Sequence, residues 1–403
     1  MFFSLAIILC AGLFAGWLCK KIHLPSLLGM LAVGIIIGPY VLNLIDSSIL
    51  DISAELRKIA LIIILARAGL SLNISDLKKV GRPAVLMCFL PACFEIIGMI
   101  LLAPMLLGIS VVDAAIMGAV VGAVSPAVIV PKMISLMENG YGTEKSIPQL
   151  ILAGASVDDV FVIVMFSAFT GLAKSGNFSA LSFATIPISI ILGIAVGVAV
   201  GYLLGIIFKK IHIRDTVKLI IIMSAAFLLV AFEDNFGSVV PFSSLIAVMC
   251  IGIAVQNVKA ETAQRLSVRY SKMWVIAEII LFVLVGATVN IEYAVKAGAA
   301  AVILIFAVLI FRMLGVFICL IKTKLNIKER LFCMLAYTPK ATVQAAIGGV
   351  PLAMGLSCGN IVLTVAVLSI IITAPLGAFL IDLTYKRLLE KSVNGACEKN
   401  SVN

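Results

Sequence analysis

Charge is scarce in this chain. Lysine, arginine, aspartate and glutamate together supply 12% of its 403 residues, about half the share of an ordinary soluble domain. Histidine occurs twice, as His23 and His212, and the nine cysteines form no Cys-x-x-Cys motif or Cys/His cluster. A structural zinc site and a disulfide framework are therefore not expected. No series of short alternating segments of about ten residues is present, which argues against a membrane β-barrel. No polar stretch long enough to fold alone interrupts the chain, so no appended soluble domain is expected. What is abundant is apolar surface, with 63% hydrophobic residues and a mean hydropathy of +1.22.

Apolar runs long enough to cross a hydrocarbon core of ~30 Å recur along the whole length. Thirteen spans are predicted, near residues 2–18, 26–45, 54–73, 83–107, 111–136, 147–172, 183–208, 217–233, 239–255, 271–290, 297–320, 329–351 and 359–384. The first lacks a basic lead and a small-residue cleavage site and reads as a retained helix. Loop charge tests the count independently. Twenty-three of the thirty basic residues fall in alternate loops and the tail, whereas the opposite loops hold only Lys174 and Lys296. The positive-inside rule then places the N-terminus outside and the C-terminus in the cytoplasm. It also explains the formal charge of +10 without a nucleic-acid partner. The expected fold is an all-α polytopic membrane protein, one embedded unit over 1–403 with a polar tail from 385.

Two spans carry helix breakers at mid-membrane. The fifth contains Gly118, Gly122, Ser125-Pro126 and Pro131; the twelfth contains Pro339-Lys340 and then Gly348-Gly349-Val350-Pro351. Such breaks survive in a bilayer only where the freed backbone groups line a cavity or are buried in protein. Breaks at matching places in two halves point to a transporter site. Residues 1–172 and 217–384 form the two halves, joined by a linker helix at 183–208. Each half has six spans and starts from opposite sides, which gives inverted repeats and makes spans 5 and 12 the two crossed discontinuous helices.

Against this background the adjacent Asp158 and Asp159, in the sixth span, are costly. A carboxylate at bilayer depth costs about 2.5–3.5 kcal/mol or more. Neighbours on a helix point about 100° apart, so one aspartate lines an ion path while the other turns to a basic partner or a second ligand. Desolvation favours the protonated form of a carboxylate, so proton and cation compete for it. Glu95 and Arg312 are isolated charges in matching spans and are expected to form an interhelical ion pair. A guanidinium stays charged, so Arg312 carries no proton. Lys340, at the second break, is read as neutralising helix C-terminal carbonyls or as pairing with Asp158. Ser125 offers a hydroxyl to a cation or to a helix end. Glu278 and Arg67, in matching spans, are read as a second structural pair or as snorkelling toward an interface. Gly12/Gly16 and Gly34/Gly38 have the spacing of close helix packing, a weak indication of a dimer.

Gly122-Ala-Val-Ser-Pro-Ala-Val-Ile-Val-Pro131, Gly140-Tyr-Gly142 and Ala155-Ser-Val-Asp-Asp159 together resemble the cation/proton antiporters. More narrowly they resemble the branch of animal sodium/hydrogen exchanger-like proteins and their bacterial relatives. Ala66-Arg-Ala-Gly-Leu70, Pro339-Lys-Ala-Thr-Val-Gln-Ala-Ala-Ile-Gly348 and the isolated Glu95 and Arg312 extend the match. The resemblance implies a core with two crossed broken helices moving against a dimerisation domain in a homodimer within a bacterial inner membrane. It implies exchange of Na⁺ or Li⁺ for H⁺, with Asp159 as main carboxylate, Asp158 beside it, and no cofactor. It assigns Ser156, Ser125 and the backbone of Ala123 and Val124 to the cation and proton site. Glu95, Arg312 and Lys340 compensate charge. Ser125 stands where many antiporters have an aspartate, so the first break brings no third carboxylate. The animal members carry an additional N-terminal helix, so their dimer contacts need not apply. Three other functions fit less well. A membrane aspartyl protease needs aspartates facing across two helices. A cation channel needs rings of ligands around a continuous pore. A Na⁺-coupled solute symporter on a related fold is the alternative kept.

Overall fold

A computed structural model describes residues 1–22, 24–71, 81–175, 180–211, 213–236, 240 and 242–392. His23, His212, Lys78, Lys79 and the tail beyond Ser392 lie outside the described residues, as do the side chains of Ser156, Lys174, Glu292 and Lys296. Helices account for nearly all the regular structure. In chain order they are α1 (Phe2–Lys21), α2 (Ser26–Ile37), α3 (Ser47–Asp51), α4 (Ser53–Ser71), α5 (Arg82–Met87), α6 (Leu90–Leu107), α7 (Val111–Val121), α8 (Pro126–Glu138) and α9 (Ile147–Ser175). Then follow α10 (Ala180–Lys210), α11 (Asp215–Phe236), α12 (Ser244–Val258), α13 (Ala260–Ala287), α14 (Ile291–Cys319), α15 (Ile327–Ala336), α16 (Thr342–Ile347), α17 (Val350–Ala353) and α18 (Gly359–Leu388).

Among the described residues, nine helical stretches are long and apolar enough to cross a membrane, and three shorter apolar ones accompany them. The ninth and the second predicted spans are among the short ones. The third, α4, carries Glu55, Arg57, Lys58 and Arg67 and is the least apolar of the set. Those twelve stretches and α4 occupy the thirteen predicted positions. The chain is a multi-pass helical membrane protein.

The helices sort by what they touch. On one side α1, α2, α4, α10, α12 and α13 pack on one another; on the other α6 packs on α14 and α7, α9 on α7 and α8, and α18 on α14 and α15. Glycine lets backbones meet in the first group. A methyl at Gly34 would lie 2.1 Å from the Val283 carbonyl oxygen, and one at Gly12 would lie 2.7 Å from the Ile279 side chain. Gly12, Gly34 and Gly38 thus pack against α13 and Gly16 against α2, so both small-residue stripes noted in the sequence are used within the chain. Arg67 and Glu278 lie on α4 and α13, which pack together, without an ion pair between them.

The two proline-bearing spans are discontinuous. Helix α7 ends at Val121, residues 122–125 are non-helical, and Pro126 opens α8 at its first position. Proline disfavours helical geometry in the residue before it, and Ser125 is extended, with φ −89° and ψ 111°. Helix α15 stops at Ala336 and α16 begins at Thr342, so Pro339 and Lys340 sit in the gap. The Gly348-Gly349 pair then makes a turn that separates α16 from α17.

Candidate functional site

The two gaps meet. Ser125 donates its backbone N–H to the Pro339 carbonyl at 2.8 Å, and the Gln344 amide nitrogen donates to the carbonyls of Val121 (3.0 Å) and Ala123 (2.9 Å). Gln344 thereby caps the broken end of α7 from the other discontinuous helix. Further partners come from side chains. Arg312 on α14 donates from Nε to the Tyr337 carbonyl at 2.7 Å and from Nη1 to the Gly122 carbonyl. Thr373 Oγ1 on α18 accepts from the Lys340 backbone N–H at 2.9 Å, and Asp158 Oδ2 accepts from the Val124 N–H at 2.8 Å. Backbone groups that leave a helix ladder inside an apolar medium require such partners.

The same side chains form an ion network with no exposure to solvent. Arg312 Nη1 meets Glu95 Oε2 at 2.8 Å, Arg312 Nη2 meets Asp158 Oδ2 at 2.8 Å, and Lys340 Nζ meets Glu95 Oε2 at 2.5 Å. The Arg312 guanidinium also stands 5.0 Å from the centre of the Tyr337 ring, whose hydroxyl donates to the Met87 carbonyl at 3.0 Å. Two cations and two carboxylates balance within this network. Buried charges are tolerable only when paired and hydrogen-bonded in this way, and removing one partner leaves an uncompensated charge.

Lys340 departs from both readings of the sequence. Its ammonium turns to Glu95 rather than to Asp158, and the carbonyl ends at the breaks are met by Arg312 and Gln344. Asp158 finds its basic partner in Arg312, which bridges the two carboxylates.

Asp159 is outside this balance. It is half-buried on α9, one residue beyond Asp158, and its Oδ1 is buried without a hydrogen-bond partner. Other orphan oxygens belong to the same set of residues: Asp158 Oδ1, Glu95 Oε1, Ser125 Oγ and Gln344 Oε1. Ser125 is 1% exposed, and Ala123 and Val124 are fully buried in the first gap. Hard oxygen donors without protein partners are what an alkali cation requires on losing its water. Ser156 lies on α9 two residues before Asp158, and its side chain is outside the described residues.

Gln344, Tyr337 and Thr373 were not singled out from the sequence. Gln344 had a signal, as an amide in an apolar stretch next to a predicted break. Tyr337 acts partly through its carbonyl, which no sequence pattern marks.

Comparison with known proteins gives the family and the fold. The profile of the transmembrane sodium/hydrogen exchanger family matches residues 5–385. Human sodium/hydrogen exchanger 9B2 is 37% identical over 390 residues, covering 91% of this chain and 70% of that protein. Human sodium/hydrogen exchanger 9B1 is 30% identical over 412 residues, covering 96% and 78% respectively. The solved structure of the sodium proton antiporter MjNhaP1 from Methanocaldococcus jannaschii superposes with a TM-score of 0.83 at 20% identity, covering 95% of this chain and 97% of that one. That structure is similar in fold. On the profile and the relatives, this chain belongs to the sodium/hydrogen exchanger family.

Proposed function

We propose that this protein exchanges Na⁺ for H⁺ across the membrane by alternating access, with Asp159 as the carboxylate for which the two ions compete. The observation that carries this reading is the charge balance. Arg312 and Lys340 are already matched by Glu95 and Asp158, and Asp159 is the adjacent carboxylate left without a counter-charge. A half-buried carboxylate with a buried, unpartnered oxygen is stable in that position when it holds a proton or a cation, and unstable with neither. Exchange follows because each occupant must leave before the other binds.

In this reading the neighbours take distinct roles. Asp158 is held by Arg312 and the Val124 N–H, so it fixes the first gap against α9 and offers only Oδ1 to a cation. Ser125 Oγ, Ser156 and the oxygens of Ala123 and Val124 complete the ligand set in this reading. With Arg312 and Lys340 matched by Glu95 and Asp158, only Asp159 trades its proton in this reading, which gives one proton per Na⁺ and electroneutral exchange. Li⁺ uses the same oxygens.

The order of the two broken spans supports inverted repeats over 1–172 and 217–384, joined at 183–208. The asymmetry of loop charge supports a cytoplasmic C-terminus in a bacterial inner membrane, and the family resemblance supports a homodimer. Asp159→Asn tests the central assignment. Uptake of labelled Na⁺ into acid-loaded proteoliposomes should fall to the protein-free rate while the variant remains folded. Normal uptake by Asp159→Asn would remove Asp159 from the mechanism.

A further inference from the structure

A cavity of about 450 Å³ opens between the two packing groups, at the ends of the helices that face the Lys/Arg-poor loops. Its walls come from α4, α9, α11, α12 and the α16–α17 turn, and they include Phe166, Phe227, Val230 and Ile347. That volume lies within the range of small-molecule sites, roughly 300–1,000 Å³, and the mostly apolar lining with a few charged groups is what such sites present.

The charged groups are not equivalent. Lys58 is matched by Asp234 at 2.8 Å, and Glu55 is on the exposed face of α4. Arg57 is different. It is 6% exposed, its Nε donates to the Ser53 carbonyl at 3.1 Å, and its Nη1 is buried without a partner. The guanidinium lies over the α16–α17 turn, where a methyl at Gly349 would sit 2.0 Å from Nη1. A buried, permanently charged group with a free donor at a cavity wall is a costly arrangement for a protein to keep empty-handed.

We infer that this cavity is a binding site for a monovalent organic anion, a carboxylate on an aromatic or short alkyl body, held end-on by Arg57. Arg57 is the wall cation whose guanidinium has a buried donor and no ion pair among the described residues, and one carboxylate satisfies it; Glu55, on the exposed face of the same wall, leaves no room for more negative charge. The acidic neighbours Glu55 and Asp234 work against a phosphate dianion. The apolar walls take the body of the ligand and exclude a bare inorganic ion, which would gain nothing from them. Phe166 stands seven residues beyond Asp159 on α9, about 10 Å along the axis. An occupant therefore stands on the route from the Lys/Arg-poor side to Asp159 and blocks exchange. That consequence rests on the exchange reading; binding itself does not.

The test uses the purified full chain in a neutral detergent and three probes with one body: 4-phenylbutyrate, its primary amide and 4-phenylbutylamine. The carboxylate should raise the melting temperature in a saturable manner, and the amide and the amine should bind at least tenfold more weakly. Arg57→Gln should lose the carboxylate effect. Gly349→Ala, which keeps the charge but forces the guanidinium aside, should weaken it severalfold and covers the case in which Arg57→Gln does not fold. Equal stabilisation by the amide, or an undiminished carboxylate effect in both variants, would overturn the site. In proteoliposomes 4-phenylbutyrate should inhibit Na⁺ uptake from the Lys/Arg-poor face. Stabilisation without inhibition would contradict the placement on the cation's route while leaving the site in place.

Discussion

The two broken helices solve one problem with different chemistry. In the first gap, residues 122–125, the freed carbonyls accept from distant side chains, Arg312 and Gln344, and the freed N–H groups go to Asp158 and Pro339. The gap itself contributes no charge, only the hydroxyl of Ser125. The second gap brings its own cation, Lys340, and spends it on Glu95. Neither gap offers an unmatched charge to α9, and so Asp159 alone decides whether the buried cluster is neutral. The breaks hold the cluster together, and the carboxylate proposed to exchange sits on an unbroken helix beside them.

The largest effect expected from breaking this comparison is at Arg312, the one side chain among the described residues that serves both gaps. Arg312→Gln strands Glu95 and Asp158 without their shared cation and frees two carbonyls. Removing one partner of a buried pair costs about 3–5 kcal/mol, so the variant should melt far below the parent in detergent and yield little folded protein. Gln344→Leu affects the first gap alone. It leaves the Val121 and Ala123 carbonyls unmet, at a cost of about 1–3 kcal/mol for a buried unsatisfied group. A smaller melting shift with impaired exchange is expected, and an equal shift in Arg312→Gln and Gln344→Leu would contradict the ranking.

Ser125→Ala should separate function from stability. Its Oγ has no protein partner, so the melting temperature should stay within the range of surface substitutions, about ±0.5 kcal/mol. The apparent KM for Na⁺ should rise, because a ligand oxygen is lost. A destabilised variant with unchanged KM would show that the hydroxyl serves the fold.

The smallest effect lies at the loop between α8 and α9. Lys145 Nζ meets Glu329 Oε1 at 2.8 Å and Glu390 Oε2 at 3.5 Å, and the hydrogen bond to Glu329 raises its pKa above the ordinary 10.5. The raised value fixes the sign. Stability from this contact is fully present below pH 10.5 and is lost as pH climbs through the raised value. Lys145→Met should therefore lower the melting temperature slightly at pH 7 and converge with the parent in strong alkali. A difference that grows with pH would contradict the pairing.

Much of this was legible in the sequence, for identifiable reasons. Apolar runs of about 20 residues located the spans without any packing information, and the alternation of loop charge checked their count. Glu95 and Arg312 stood out because each is a lone charge in an apolar run. The breaks stood out because proline and glycine at mid-span have few other uses. What could not be read was the register between helices far apart in the chain. Whether Lys340 reaches Glu95 or Asp158 depends on how α15 crosses α7, and both carboxylates were available. Gln344 and Thr373 are neutral, so nothing in the sequence obliged them to have a partner at the gaps. The cavity beside Arg57 was hidden for the same reason: Arg57 reads as a residue near the start of a span until Gly349 is placed beneath it.

One unmatched carboxylate, Asp159, exchanging one proton for one Na⁺ is the central proposal. The most direct measurement is Na⁺ flux in proteoliposomes under an imposed membrane potential, with no Na⁺ or pH gradient. Electroneutral exchange predicts no net flux at either polarity. A net flux that reverses with the sign of the potential would mean that a second group, such as Asp158 or Lys340, releases its proton in the cycle, and would contradict the charge balance on which the account depends.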